Sequence, residues 1–244
     1  MKNSEGQKVP QVVFKTRTPA GEWQDISSQD IFAGKTVVLF ALPGAFTPTC
    51  SSSHVPGYNA LAPVFRANGV DEIVCLSVND AFVMNAWQKD QSADQIRFLP
   101  DGNGEFSQGL SMLNDKSAIG FGQRSWRYSM LVRDGVIEKM FIEAEKPGDP
   151  FEVSDAQTML NYLNPDAKAP EYVSLITRAG CPHCTRAKAL LSAHGMSYEE
   201  IELNAQVTTR SIEAITGRAT TPQVFIGGRH IGGADDLAAW LATR

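Results

Sequence analysis

Thr36-Val-Val-Leu-Phe-Ala-Leu42, running on through Pro43-Gly-Ala-Phe-Thr47-Pro48-Thr-Cys50, is the stretch that decides the fold. Its first seven residues form a continuous apolar run of strand length, as in a strand buried on both faces. The run passes directly into a loop and then into a helix start. Thr47 reads as the N-cap and Pro48 as the first helical residue, where its missing N–H costs nothing. Cys50 then lies in the first turn, among backbone N–H groups without partners in the helix. Those donors and the positive end of the helix dipole favour thiolate over thiol, the reactive form.

Working outward, the helix after Cys50 continues through Leu61 and Phe65, with Pro56-Gly57 as a place for a bend. Strand Glu72–Val78 and helix Ala81–Lys89 follow. Strands Tyr128–Val132 and Val136–Ile142 flank Arg133-Asp134-Gly135, a hairpin signal. Ser154 is expected to cap a last helix with Met159, Leu160 and Leu163 on one face. Asp101-Gly-Asn-Gly104 lacks the lysine and spacing of a phosphate cradle and reads as a turn before Phe106. Asn164–Glu171 is polar and proline-bearing, and beyond it the alternation restarts as β-α-β-α-β-β-α. The predicted class is α/β, with domains at residues 1–165 and 172–244 joined by a linker at 166–171.

Composition sets bounds on function. The chain has 244 residues, a formal net charge of −5 and four cysteines. It carries no basic block that would suggest nucleic acid, and its acidic excess belongs to residues 1–165. The N-terminal residues have no apolar core of a secretory signal, and no apolar run approaches the roughly 20 residues needed to span a bilayer. Four cysteines over this length do not make a disulfide scaffold, so a reducing cytoplasm is expected, with cysteines used chemically.

Cys181-Pro-His-Cys184 after a strand, Thr220-Thr-Pro222 before another and Gly232-Gly-Ala-Asp-Asp236 opening the last helix together resemble a dithiol glutaredoxin over residues 171–244. With Pro182 at the first helical position, the Cys181 sulfur should be exposed and of depressed pKa, and Cys184 one turn further in and shielded. The resemblance implies glutathione as cosubstrate: Thr221, before a cis Pro222, would pair with its cysteine backbone, Ala234 and Asp235 would receive its γ-glutamyl end, and Arg178 its glycine carboxylate. The middle Pro-His departs from the commoner Pro-Tyr. No second Cys or His pair at ligand spacing follows to complete a zinc site, so no metal and no permanent cofactor are expected.

The motif Pro43-x-x-x-Thr47-x-x-Cys50, with His54 and Pro56-Gly57 after it, resembles the peroxidatic site of type V peroxiredoxins over residues 5–163. The two resemblances together imply two thioredoxin-like domains and the architecture of hybrid peroxiredoxin–glutaredoxin fusions. They imply that Cys50 attacks hydrogen peroxide or organic hydroperoxides, assisted by the Thr47 hydroxyl and by Arg127, with Arg124 the competing arginine. His54 either tunes the pocket or packs. The sulfenic acid formed on Cys50 needs a thiol to return. Cys75, flanked by Ile73, Val74, Leu76 and Val78, reads as a buried core cysteine, the alternative being an internal resolver. Glutathione would then cap Cys50 and Cys181 would remove the cap. A homo-oligomer is implied, a tetramer ahead of a dimer, with neither nucleic acid nor membrane as partner. The non-catalytic alternative is a redox sensor whose cysteines switch a partner.

Overall fold

A computed structural model describes residues 1–18, 20–146, 148–167 and 171–243. The chain divides into two compact units, Met1–Ala169 and Pro170–Arg244. Part of the segment expected to link them, residues 168–170, lies outside the described residues.

The first unit contains β1 (Val13–Arg17), β2 (Trp23–Ser27), α1 (Ser28–Phe32), β3 (Thr36–Leu42), α2 (Val55–Ala67), β4 (Glu72–Ser77), α3 (Ala81–Asp90) and β5 (Arg97–Pro100). It continues with α4 (Glu105–Gly109), β6 (Leu113–Asp115), β7 (Gln123–Ser125), β8 (Tyr128–Arg133), β9 (Val136–Ile142) and α5 (Ala156–Leu163). Its main sheet has the order β5-β4-β3-β8-β9, parallel from β3 to β5 and antiparallel through β8 and β9. The parallel neighbours are reached by crossovers through α2 and α3. Strand β3 lies at the centre because both its faces are apolar. Val38, Phe40 and Leu42 enter one core with Tyr58, Phe65 and Met159. Val37, Leu39 and Ala41 enter the other with Phe32, Phe106 and Met130. That division follows the two-residue period of a strand.

Local chemistry sets the ends of elements. The β8–β9 turn places Asp134 and Gly135 at φ 46° and 73°, the left-handed pair a two-residue hairpin requires. The Asp101 carboxylate accepts from the N–H groups of Phe106 and Ser107, which makes the turn before Phe106. Helix α5 corrects one expectation: its cap is Asp155, which accepts from the Thr158 N–H at 3.0 Å. Ser154 is unavailable because its hydroxyl donates to Glu143 at 2.8 Å. Hairpins β1–β2 and β6–β7, strand β5 and the short helices α1 and α4 carry too few periods to be read in advance.

The second unit contains β10 (Val173–Thr177), α6 (Pro182–Ala193), β11 (Glu199–Glu202), α7 (Thr209–Thr216), β12 (Gln223–Ile226), β13 (Arg229–Gly232) and α8 (Ala234–Leu241). This is the predicted order. The sheet runs β11-β10-β12-β13, with only β10 and β11 parallel. Leu175, Leu191, Val224 and Leu237 are fully buried in its core. Among the described residues no helix is long and apolar enough to cross a membrane.

Candidate active sites

The first site is assembled where β3 ends. The loop after it is fastened by Asn79, whose Oδ1 accepts from the Ala45 N–H at 3.0 Å and from Ser77 Oγ at 2.7 Å. Phe46 within the loop takes φ 61°, a costly conformation for a bulky side chain. Thr47 begins the helix through its carbonyl, which accepts from the Ser51 N–H at 3.0 Å. Its hydroxyl turns back into the loop and donates to the Gly44 carbonyl at 2.9 Å. The expected cap is therefore correct in position and wrong in chemistry. The helix is also irregular earlier than Pro56-Gly57: Cys50–His54 is a turn of π-helix, closed by the Val55 N–H onto the Cys50 carbonyl. Such turns recur at functional sites.

Cys50 is fully buried and faces Arg127, the residue before β8. Arg127 Nη1 lies 3.5 Å from Cys50 Sγ and 3.1 Å from His54 Nδ1, and Nη2 is held by both carboxylate oxygens of Asp149. Arg127 is 1% exposed, so a carboxylate partner for its guanidinium is a physical requirement. Burial alone would lower the Arg127 pKa, but Asp149 and Cys50 outweigh it and the net direction is up. The group is a fixed positive charge aimed at the sulfur.

His54 is fully buried, and burial followed by the Arg127 charge lowers its pKa to about 3. It is a neutral imidazole, packed at tilted angles among the rings of Phe40, Tyr58 and Phe151. Arg124, the rival arginine, is committed elsewhere and donates to the Phe121 and Val78 carbonyls, each at 2.9 Å. Cys75 is fully buried on β4 opposite Phe40, and burial pushes its thiol well above the ordinary value. A buried, protonated thiol is inert. Thr47 and Asp149 also line a cavity of about 470 Å³ with Pro43, Pro48, Ile119 and Phe121. Sequence reasoning missed Asp149. A buried arginine demands an anion, but the residue lies 22 positions away in an irregular loop where no period points to it.

The second site lies at the N-terminus of α6. Cys181 is the N-cap residue, and its sulfur accepts from the Cys184 N–H at 3.2 Å. Thr221 Oγ1 lies 3.7 Å from the same sulfur, and the Thr221–Pro222 bond is cis. Burial raises the Cys181 pKa, but hydrogen bonds from the Cys184 thiol and N–H, the Thr221 hydroxyl and the His183 N–H outweigh it, and the net direction is down. Cys184 moves the other way: burial and its bond to Cys181 raise it. Cys181 is only 8% exposed, against the expectation of an exposed sulfur, because Thr221 closes over it. What exposure it has opens onto a cleft of about 600 Å³. Arg178, Thr221, Pro222, Ala234 and Asp235 line that cleft with Cys181, so the fold gathers all five residues named for glutathione. The Asp235 carboxylate pairs with Arg186 at 2.6 Å, and Asp236 pairs with Arg218 and accepts from the Gly233 N–H. No group of three or more His, Cys, Asp or Glu that could hold a metal occurs among the described residues.

Comparison with known proteins gives two family matches, Redoxin over residues 4–160 and Glutaredoxin over residues 173–231. Hybrid peroxiredoxin hyPrx5 of Haemophilus influenzae is 58% identical over 242 residues, covering 99% of this chain and 100% of that protein. Peroxiredoxin sll1621 of Synechocystis is 58% identical over 176 residues, covering 67% of this chain and 93% of its own. Among solved structures, reduced Prx3 from Vibrio vulnificus in complex with hydrogen peroxide matches 66% of this chain and 99% of its own, with a TM-score of 0.62 at 44% identity.

Proposed function

This chain belongs to the peroxiredoxins and carries a glutaredoxin domain behind its redoxin domain, and on that premise we propose that it is a glutathione-dependent thiol peroxidase, reduced through its own second domain. Cys50 as thiolate attacks one peroxide oxygen in line. The S–O bond forms as the O–O bond breaks, and the departing oxygen takes a proton to leave as water or an alcohol. Negative charge passes from sulfur to the departing oxygen, so donors fixed beforehand on that path lower the barrier. Arg127, held beside the sulfur, is the principal donor. The Thr47 hydroxyl has its hydrogen on Gly44, so its oxygen keeps lone pairs that accept the peroxide O–H. The apolar cavity walls at Ile119 and Phe121 accommodate the carbon chain of an organic hydroperoxide.

The sulfenic acid on Cys50 is attacked by glutathione, giving the mixed disulfide and water. Cys181 then attacks the glutathione sulfur, freeing Cys50 and taking up the adduct, and a second glutathione releases Cys181 with formation of glutathione disulfide. The residue of lowered pKa attacks while Cys184 stays a thiol, which fits the opposite shifts of the pair. Arg178 and the start of α8 offer the cleft's two anchors for the tripeptide carboxylates.

The observation that carries this reading is the buried guanidinium 3.5 Å from the Cys50 sulfur. Peroxide consumption with glutathione as sole reductant tests it. Cys50→Ser should abolish activity, whereas Cys181→Ser should stop steady turnover but leave one stoichiometric oxidation of Cys50. Normal peroxidase rates in Cys50→Ser would overturn the assignment.

A further inference from the structure

The partners of His54 fix where its proton lies. Nε2 is 3.1 Å from the Ser154 carbonyl, which can only accept. Nδ1 is 3.1 Å from Arg127 Nη1, which can only donate. Both bonds form together only in the neutral tautomer with hydrogen on Nε2 and the lone pair of Nδ1 turned to the arginine. The other tautomer would set N–H against N–H and push the guanidinium away from Cys50. The position of one carbonyl therefore sets the tautomer that, together with Asp149, aims Arg127.

That carbonyl is held from behind. Glu143 is 2% exposed, and its Oε1 accepts from the N–H groups of Glu152, Val153 and Ser154 at 2.9, 2.9 and 2.8 Å and from the Ser154 hydroxyl at 2.8 Å. Burial pushes the Glu143 carboxyl up, but these four donors outweigh it and keep it below the ordinary carboxylate range. The chain from 152 to 154 is thus wrapped on one anion, with the Ser154 carbonyl turned outward to His54 and to Tyr58 Oη at 3.0 Å. Glu143 is itself pinned to the short segment between β7 and β8 that bears the arginine. Its N–H donates to the Arg127 carbonyl at 3.2 Å, and its carbonyl accepts from Trp126 Nε1 at 2.8 Å.

We infer that Glu143 is a positioning residue for peroxide reduction: by fixing the Ser154 carbonyl it sets the His54 tautomer, and the bare Nδ1 of His54 holds Arg127 on the Cys50 sulfur. The inference rests on the reading of Cys50 as the peroxide-reacting thiol. Glu143 touches neither sulfur nor substrate and acts only through the relay.

The test is made on the full chain in two measurements. The first is the ¹⁵N spectrum of histidine-labelled protein, with His54 assigned from a His54→Phe variant. Wild type should show His54 as a single Nε2–H tautomer, and Glu143→Gln should show mixed tautomers, since a neutral amide holds four donors less firmly. The second is a double-mutant cycle on single-turnover oxidation of Cys50 by hydrogen peroxide. Glu143→Gln should slow oxidation about tenfold or more where His54 is present and less than about twofold in His54→Phe. The near-ultraviolet circular dichroism of the full chain should keep its wild-type form and serves as the folding control. An equal slowing with and without His54 would overturn the relay and leave Glu143 a loop-stabilising residue. So would a wild-type His54 with its proton on Nδ1, a result that stands even if Glu143→Gln fails to fold. Peroxide consumption by Cys50→Ser would instead remove the reading underneath, so the two failures are distinct.

Discussion

Arg127 concentrates the demands made on any single residue of the first site. One planar fork meets a thiol, an imidazole nitrogen and a carboxylate at once. Lysine carries the same charge but not the fork, so Arg127→Lys should slow single-turnover oxidation of Cys50 by about 100-fold or more, measured by stopped-flow fluorescence. Trp87 is a suitable reporter, since its Nε1 donates to Ser51 beside the thiol at 3.0 Å. At the second site Thr221 adds to the Cys184 thiol and N–H: its hydroxyl donates to the Cys181 sulfur, while its carbonyl can only accept from the protonated thiol. Hydrogen bonds to a thiolate stabilise the charged form, and losing one raises the pKa. Alkylation of Cys181 should therefore reach half its maximal rate below the pH of an ordinary thiol, with Cys184 reacting only at higher pH. Thr221→Val should move the Cys181 midpoint upward. A midpoint unchanged by that substitution would assign the lowering to the Cys184 thiol and the N–H groups at the start of α6.

At the scale of elements, the long apolar and periodic segments were legible. β3 was readable because seven consecutive residues bury both faces of a central strand. The β8–β9 hairpin was readable because Asp-Gly suits its left-handed turn. The π-turn at Cys50–His54 was not, since an i to i−5 bond leaves no mark on the spacing of apolar residues. The cap of α5 was misread for a different reason. Ser154 and Asp155 are both good capping residues, and the choice between them depends on Glu143, which captures Ser154 from another element. Asp155→Ala should accordingly cost about 1 kcal/mol of stability in the first unit, followed by denaturant titration of its tryptophan fluorescence.

For the whole molecule, the proposed relay would give each oxidised Cys50 a reducing partner at a local concentration set by the tether, not by the bulk. Specific activity at fixed glutathione and peroxide should then be unchanged on about 100-fold dilution of the protein. A proportional fall would mean that the two sites meet by diffusion between separate molecules. The sequence by itself determined the α/β class, the restart of the fold after the polar segment and the identity of both cysteine motifs. The class and the restart rest on local periodicity, whereas the cysteine motifs were identified by their resemblance to known families. Only the tertiary structure decided that Arg127, not Arg124, faces Cys50, that Asp149 and His54 hold it there, and that Thr221 covers Cys181. A buried charge takes whatever partner the packing of distant segments brings within hydrogen-bond reach, and separation along the chain carries no information about that distance.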